Sequence, residues 1–437
     1  MARISGIVYS SDTEPLPQGA TVSLYFKHLE SDLIYLKSED LTFTGTFQSF
    51  YPEDIVAPES WSVALPGFWK RSGLLKRDAT DFEVTIDRIP PPDPRTPHFG
   101  WWHRALGLVR YDPTLGLGIS AGVIDSGCCR DHSNLEHVEH LGRMVYGEIE
   151  DSITYYSDHG THVCGIVGAR PASGAGTEMA GIAPGARLFS LQLNFSSPEE
   201  PNDQNLLLGD FLPQHTVRWS NLDIADAIYH LAQECEVNLI NLSMTNAPGE
   251  ERDSEAIHDA IRDVAELGTL CVAAAGNQGT PALAFPAAYR EVVSVASLGK
   301  RGCGPQWDPN PQLPEYESQI ADPFYLAKTS NRGEGLSCCA PGVRIISTVS
   351  VSNTYGLRPY LDMTGTSMAA PMVTGALAAR LSQKGSAYTR LRGPERTQYA
   401  RNLLPEICQN LGLARNLQGH GMVSAQKNEV ASRILRC

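Results

Sequence analysis

Residues Ala121-Gly-Val-Ile-Asp125-Ser-Gly127 form a short apolar run that stops at a carboxylate and turns on a glycine. A near-continuous apolar run of this length reads as a strand buried on both faces, as in a parallel sheet. The pattern returns at Arg187–Leu193, Val237–Leu242, Leu270–Ala275 and Val292–Ala296, with helical stretches between. Ile224, Ile228, Leu231 and Cys235 share one helical face, and Ile257, Ile261 and Val264 share another. Ser254 is placed to cap the second helix and Gly268 to end it. Strands alternating with helices predict an α/β, doubly wound, mostly parallel sheet. Sites in such sheets lie beyond the carboxyl ends of the strands, which is where Asp125 sits.

The first ninety residues read differently. Ile4–Tyr9, Ala20–Phe26, Asp32–Lys37, Ser60–Leu65 and Phe82–Ile86 are short strand candidates separated by turn residues, with no sustained helical period. They predict a small all-β, sandwich-like domain over 1–90. The stiff run Ile89-Pro-Pro-Pro-Asp-Pro-Arg-Thr-Pro97 marks a linker over 91–105. The α/β domain then occupies 106–437, interrupted by a Pro- and Asp-bearing insertion at 301–328 that reads as a surface loop. No internal repeat is visible.

Composition narrows the function. With 437 residues and 42% hydrophobic content, the chain can bury a sizeable core. No apolar run approaches the roughly 20 residues needed to span a bilayer, and none near the N-terminus has signal-peptide length. A net charge of -14 argues against nucleic acid as a partner. The ten cysteines include the adjacent pairs Cys128-Cys129 and Cys338-Cys339 but no zinc-type C-x-x-C pair. Cys164 and Cys271 fall in segments that read as core. Buried thiols in a reducing compartment are expected, hence a cytoplasmic location.

Two further stretches join Asp125: His159-Gly-Thr-His162 and Gly365-Thr-Ser367-Met-Ala369. A serine hydroxyl is a poor nucleophile until a base takes its proton, and the base needs a group to fix its tautomer. Asp125, His159 and Ser367 supply that set, each in a glycine-bearing context. His159 and His162 are three apart and lack the carboxylate of a zinc H-E-x-x-H motif, so no metal site is assigned and His162 is read as a structural neighbour. Asn277, in Ala274-Ala-Gly-Asn277-Gln at a strand end, is suited to donate to a tetrahedral oxyanion. Singly, each residue has an ordinary explanation as a cap or turn residue. Four together, in this order, do not.

The order Asp, His, Ser resembles that of the subtilisin-like serine peptidases, the subtilases. Gly181-Ile-Ala-Pro184-Gly-Ala, Ile240-Asn-Leu-Ser243-Met, Phe285-Pro-Ala-Ala-Tyr, Cys339-Ala-Pro341-Gly and Gly419-His-Gly421-Met-Val-Ser-Ala carry the likeness across residues 100–437. The resemblance implies a subtilisin-like fold and peptide-bond hydrolysis through an acyl-enzyme. Asp125 then orients, His159 is the base, Ser367 attacks and Asn277 completes the oxyanion hole. It also implies substrate-binding positions at Ser243, Met244, Thr245, Ala275 and Gly276, with peptides or proteins as partners. Calcium often stabilises such enzymes, but the loop Pro171–Met179 offers few oxygen side chains, so no cofactor is carried over.

Some residues depart from the family pattern. Ser243-Met244-Thr245-Asn246 replaces the usual Ser-Leu-Gly-Gly, adding side chains where an extended peptide would pair. Met372 stands where histidine often follows the proline. The segment Gln278–Tyr289 holds no carboxylate, which points to a small or apolar P1 residue. Two rival functions stay open on sequence grounds: a non-catalytic subtilase-like binding protein, and a hydrolase of esters or other acyl donors. Residues 1–90 also carry two readings, an accessory module recruiting substrates or partners and a removable prodomain.

Overall fold

Alternating burial along the first strand, Ala2–Ser10, places Ile4, Val8 and Ser10 inside while Arg3 and Tyr9 face out. That period belongs to a strand with one face on a core. The computed structural model describes the chain apart from residues 1, 89–99, 152–157, 172–177, 194–211, 214–219, 246–253, 304–322, 351–358, 427–437 and several short stretches between 13 and 78. The described chain divides into two compact units.

The first unit comprises residues 1–90, 195–219 and 351–362. Strands Thr46–Tyr51, Ala2–Ser10 and Asp81–Ile86 make one sheet. Leu212–Pro213, Ile34–Asp40, Thr21–His28, Val56–Val63 and Arg71–Leu74 make the other. Ile4, Val8, Phe47, Val84 and Ile86 from the first join Val22, Leu24, Phe26, Trp61 and Val63 from the second in one apolar core. The five expected strands are present over their described residues; Asp32, Leu33 and Ala64 lie outside the described chain. Thr46–Tyr51 and the edge strand Arg71–Leu74, which has no fully buried residue to reveal it, are additional. This unit also takes in sequence from far downstream. Leu212–Pro213 pairs with Tyr35 and Leu36, and the buried carboxylate of Asp362 accepts the Lys70 N–H at 2.7 Å.

The second unit, residues 91–194, 220–350 and 363–437, is built on an eleven-stranded sheet. Its order is Glu148–Glu150, Glu139–Val145, Arg187–Leu193, Ser120–Asp125, Leu239–Leu242, Leu270–Ala274, Val293–Lys300, Cys338–Pro341, Met422–Val423 and Cys408–Gln409, with Phe324–Leu326 beside Val293–Lys300. Pairing is parallel from Glu139–Val145 through Met422–Val423, and antiparallel at the margins. From Ser120–Asp125 the chain first builds outward to one side, then returns to build Leu239–Leu242 on the other. The reversal opens a crevice at the carboxyl ends of these two strands, beside Asp125 and Ser243.

The helices follow their sequence signals. Ser220 caps Asn221–Gln233 by accepting the Asp223 N–H, and Ile224, Ile228 and Leu231 are buried, while Cys235 lies just past the helix end. Ser254 caps Glu255–Leu267, and Gly268 ends it in the left-handed conformation at φ 100°. Thr366–Ser382 is apolar on nearly every side, with Met368, Ala369, Met372, Val373, Ala376 and Leu377 all buried. A helix of that kind runs through a core rather than over a surface.

Two boundaries differ from expectation. The linker ends earlier than residue 105, because Trp101–Ala105 is a helix with Trp101, Trp102 and His103 buried. Apolar bulk wins there over the proline-rich prelude, whose residues 91–99 lie outside the described chain. The insertion at 301–328 is not loop throughout: Phe324–Leu326 is a buried strand paired with Leu298–Lys300. Residues 304–322 lie outside the described chain.

Candidate active site

Asp125 closes its strand with its side chain buried, and its Oδ1 accepts the Ser126 N–H at 2.7 Å. Across from it the helix His159–Gly168 begins, and His159 Nδ1 donates to the same Oδ1 at 2.8 Å. A carboxylate can only accept, so Nδ1 carries the proton and Nε2 is the basic nitrogen. Gly160 explains the close approach. A Cβ there would lie 2.2 Å from the Gly127 carbonyl and 3.1 Å from Asp125 Oδ1. The Gly160 N–H is met by Ser126 Oγ at 2.9 Å, so the residue after the aspartate pins the residue after the histidine.

Electrostatics follow from this contact. Enclosure works against charge on His159, but the Asp125 carboxylate and its hydrogen bond outweigh it and raise the pKa above the ordinary 6.5. His137 and His140 make the contrast. Burial without a carboxylate, next to Arg170 and Arg130 respectively, pushes each down to about 4. His162 is buried, and its Nε2 donates to the Ile345 carbonyl at 2.9 Å. It braces the helix, as expected of a structural neighbour.

Ser367 is the second residue of the helix Thr366–Ser382. Its hydroxyl donates to the Ser243 carbonyl at 3.2 Å, and Ser243 Oγ donates back to the Ser367 carbonyl at 2.7 Å. The sequence explains the second bond. Pro371, four residues on, has no N–H to give the Ser367 carbonyl, so the Ser243 hydroxyl takes its place. Asn241 Nδ2 donates to Ser243 Oγ at 2.9 Å, and Thr374 Oγ donates to Asn241 Oδ1 at 3.0 Å. This buried network ties strand Leu239–Leu242 to the serine helix.

Asn277 lies on the helix's other flank. Its Oδ1 accepts the Thr366 N–H at 2.9 Å and the Thr366 hydroxyl at 3.0 Å. Thr366 Oγ in turn accepts the Gly276 N–H at 3.2 Å. Two donors on Oδ1 fix the orientation of the amide of this exposed residue at the helix N-terminus, where free amides and the helix dipole favour an anion.

The expected substrate positions divide. Ser243, Met244 and Thr245 lie on the crevice strand's extension, Ser243 buried and the others half-buried; Asn246 lies outside the described residues. Ala275 and Gly276 have their backbone groups engaged within the protein. Ala275 donates to Val295 and accepts from Ala284, while Gly276 donates to Thr366 and accepts from Asn331. Sequence reasoning missed Ser126, Thr366 and Asn331, whose roles depend on neighbours distant in the chain.

The nine described cysteines are free; burial raises Cys128 and Cys339 well above the ordinary thiol range and Cys271 to about 12. Among the described residues, no group of three or more His, Cys, Asp or Glu side chains could hold a metal ion. Within Pro171–Met179, residues 172–177 are outside the described chain. Among the described residues no helix is long and apolar enough to cross a membrane.

The model of the Subtilase family matches residues 116–404, a span that takes in Asp125, His159, Asn277 and Ser367. The chain belongs to the subtilase family. It is a serine endopeptidase acting on peptide or protein substrates. Among its relatives is the Major intracellular serine protease of Bacillus subtilis (strain 168), 30% identical over 70% of this chain and 81% of that one. Subtilisin BL of Lederbergia lenta is 28% identical over 71% and 90%. The solved structure of S41 Psychrophilic Protease superposes with a TM-score of 0.56 at 24% identity, covering 75% of this subtilase and 98% of that chain. At that identity the likeness speaks for the fold alone.

Proposed function

We propose that Asp125, His159, Ser367 and Asn277 carry the hydrolysis. His159 Nε2 takes the Ser367 hydroxyl proton as Oγ bonds to the scissile carbonyl carbon. The hydroxyl first exchanges its bond to the Ser243 carbonyl for one to Nε2. The tetrahedral oxyanion receives Asn277 Nδ2 and the Ser367 N–H. His159 returns its proton to the departing amine as the C–N bond breaks, leaving an acyl-enzyme. Water then attacks the acyl carbon with His159 again as base, and His159 returns that proton to Ser367 Oγ as the C–Oγ bond breaks and the acid product leaves, with Asp125 orienting the imidazole throughout. Every proton is handled by side chains, so the reaction as proposed calls for no cofactor. The observation carrying this reading is the Asp125–His159 bond of 2.8 Å together with an Asn277 amide oriented by Thr366.

Substrate choice is narrowed. Met244 and Thr245, half-buried beside the crevice, replace residues that would leave it open. The uncharged segment Gln278–Tyr289 favours a small or apolar P1 residue. A reducing, cytoplasmic location is supported by the free buried thiols and by two relatives named intracellular serine proteases, from Bacillus subtilis and Paenibacillus polymyxa. Residues 1–90 are read as a retained accessory domain that recruits substrates or partners. Support comes from the first unit itself, whose sheet includes Leu212–Pro213 and whose Lys70 N–H is held by Asp362. A removable prodomain would have to shed both contacts.

Cleavage of a peptide library read by mass spectrometry tests this function. The native protein is expected to cut after small or apolar residues and Ser367→Ala to cut nothing. Turnover of esters alone, or cleavage persisting in Ser367→Ala, would refute it.

A further inference from the structure

The turn that carries Asn277 is organised by one buried amide 53 residues from Gln278 in sequence. Asn331 is 3% exposed. Its N–H donates to the Gly276 carbonyl at 2.9 Å. Its Oδ1 accepts the Gln278 N–H at 3.0 Å and the Thr280 N–H at 3.2 Å. Its Nδ2 donates to Gln278 Oε1 at 2.9 Å, and that same Oε1 accepts the Asn277 N–H at 3.1 Å. The residues beside Asn331 complete the hold: the Thr329 carbonyl accepts the Gly279 N–H, and Arg332 Nη1 donates to the Gly279 carbonyl.

Gly276 makes room for this arrangement. It sits at φ 112°, and a Cβ there would approach Asn331 Nδ2 to 2.3 Å. The amide therefore lies directly against the backbone one residue before Asn277. Thr366 fixes the end of the Asn277 side chain; Asn331 fixes the backbone from which that side chain springs.

We propose that Asn331 is a positioning residue for the oxyanion donor. It sets the height and tilt of Asn277 without touching substrate, and its contribution to the reaction passes through Asn277. The proposal rests on Asn277 as that donor. An aspartate at 331 would keep both Oδ1 acceptor bonds but turn a buried carboxylate oxygen toward Gln278 Oε1, so it is no milder than alanine.

A double-mutant cycle between positions 331 and 277 tests it, read by hydrolysis of a peptide anilide with a small apolar P1 residue and by the rate of fluorophosphonate labelling. Misplacing a catalytic group by about 1 Å costs up to roughly 100-fold. Asn331→Ala is therefore expected to lower kcat by about 10-fold with KM nearly unchanged, and Asn331→Asp by at least as much. In the Asn277→Ala background the same change should add less than about twofold, because groups acting through one another are not additive. The acid limb of the pH profile should not move, since His159 makes no link in this chain of bonds.

Losses that multiply fully in the double variant, or a shifted acid limb, would overturn the proposal. If Asn331→Ala does not fold, Gln278→Ala carries the cycle, since it removes the Oε1 that joins Asn331 Nδ2 to the Asn277 N–H. An effect of Gln278→Ala that survives undiminished in Asn277→Ala, or no effect at all, overturns the proposal equally. Should Asn277→Ala by itself leave kcat unchanged, the oxyanion assignment falls and this inference with it. A normal loss in Asn277→Ala combined with additivity sinks only the role of Asn331.

Discussion

The two halves of the site are built on different physics. Asp125 and His159 are joined by one charged hydrogen bond, and what the protein controls there is a pKa. Ser367 and Asn277 are held by neutral bonds among Ser243, Asn241, Thr374 and Thr366, and what is controlled there is position. The first half depends on a single buried carboxylate. The second spreads its hold over several partners, so no one of them is indispensable. Damage to the first should therefore change pH behaviour, and damage to the second should change rate alone.

Asp125→Asn is the largest expected break on the charged side. Losing the group that fixes the imidazole tautomer costs about 10⁴ in kcat. The native acid limb of kcat/KM should have its midpoint above 6.5, because the base must be deprotonated and Asp125 favours its charged form. In Asp125→Asn, enclosure alone remains, and the midpoint of the residual activity should fall below 6.5. A pH–rate series on both proteins checks this. An unmoved limb would mean that the carboxylate does not tune His159. Stability runs the other way with pH. Charged His159 contributes stability that is fully present below the unfolded pKa and is lost as pH climbs through the raised folded value.

On the neutral side, Asn277→Ala should lower kcat by about 10²–10³, the usual cost of an oxyanion donor, with KM little changed. Its pH midpoint should match the native one. A moved midpoint would blur the division between the halves. Ser243→Ala should be milder, at about 10-fold in kcat, since it leaves the Ser367 carbonyl without its hydroxyl partner but spares the Ser243 carbonyl and Thr366. Steady-state kinetics on the purified variant checks it; a loss as large as that of Asn277→Ala would show that the hold on the serine helix is concentrated rather than shared.

The charged half was the more legible in sequence. Asp125 ends an apolar run and His159 opens a small-residue helix, and both signals are local. The sheet was legible for the same reason, since Ala121–Ile124 and Leu270–Ala274 carry the apolar pattern of doubly buried strands. Ser367 and Asn277 could be named as candidates. What fixes them could not, because Ser243 meets Ser367 across 124 residues and Asn331 meets Gln278 across 53. The missing N–H of Pro371 was the one readable hint, since it announces an unpaired carbonyl four residues earlier. Equally illegible were the partners of the Ala275 and Gly276 backbone groups, which are Val295 and Ala284 for the one and Thr366 and Asn331 for the other. The helix Trp101–Ala105 was hidden behind its prolines, although Trp101 and Trp102 carried the apolar bulk that buries it.

At the centre stands the proposal that Ser367 is the nucleophile activated through His159 and Asp125. Fluorophosphonate labelling followed by peptide mapping measures this directly, because Oγ bonds to phosphorus as fluoride leaves. The prediction is a single adduct on the peptide containing Ser367 in the native protein, absent from folded Ser367→Ala and slowed at least 100-fold in Asp125→Asn. An adduct on another residue, or none on the folded native protein, would contradict it.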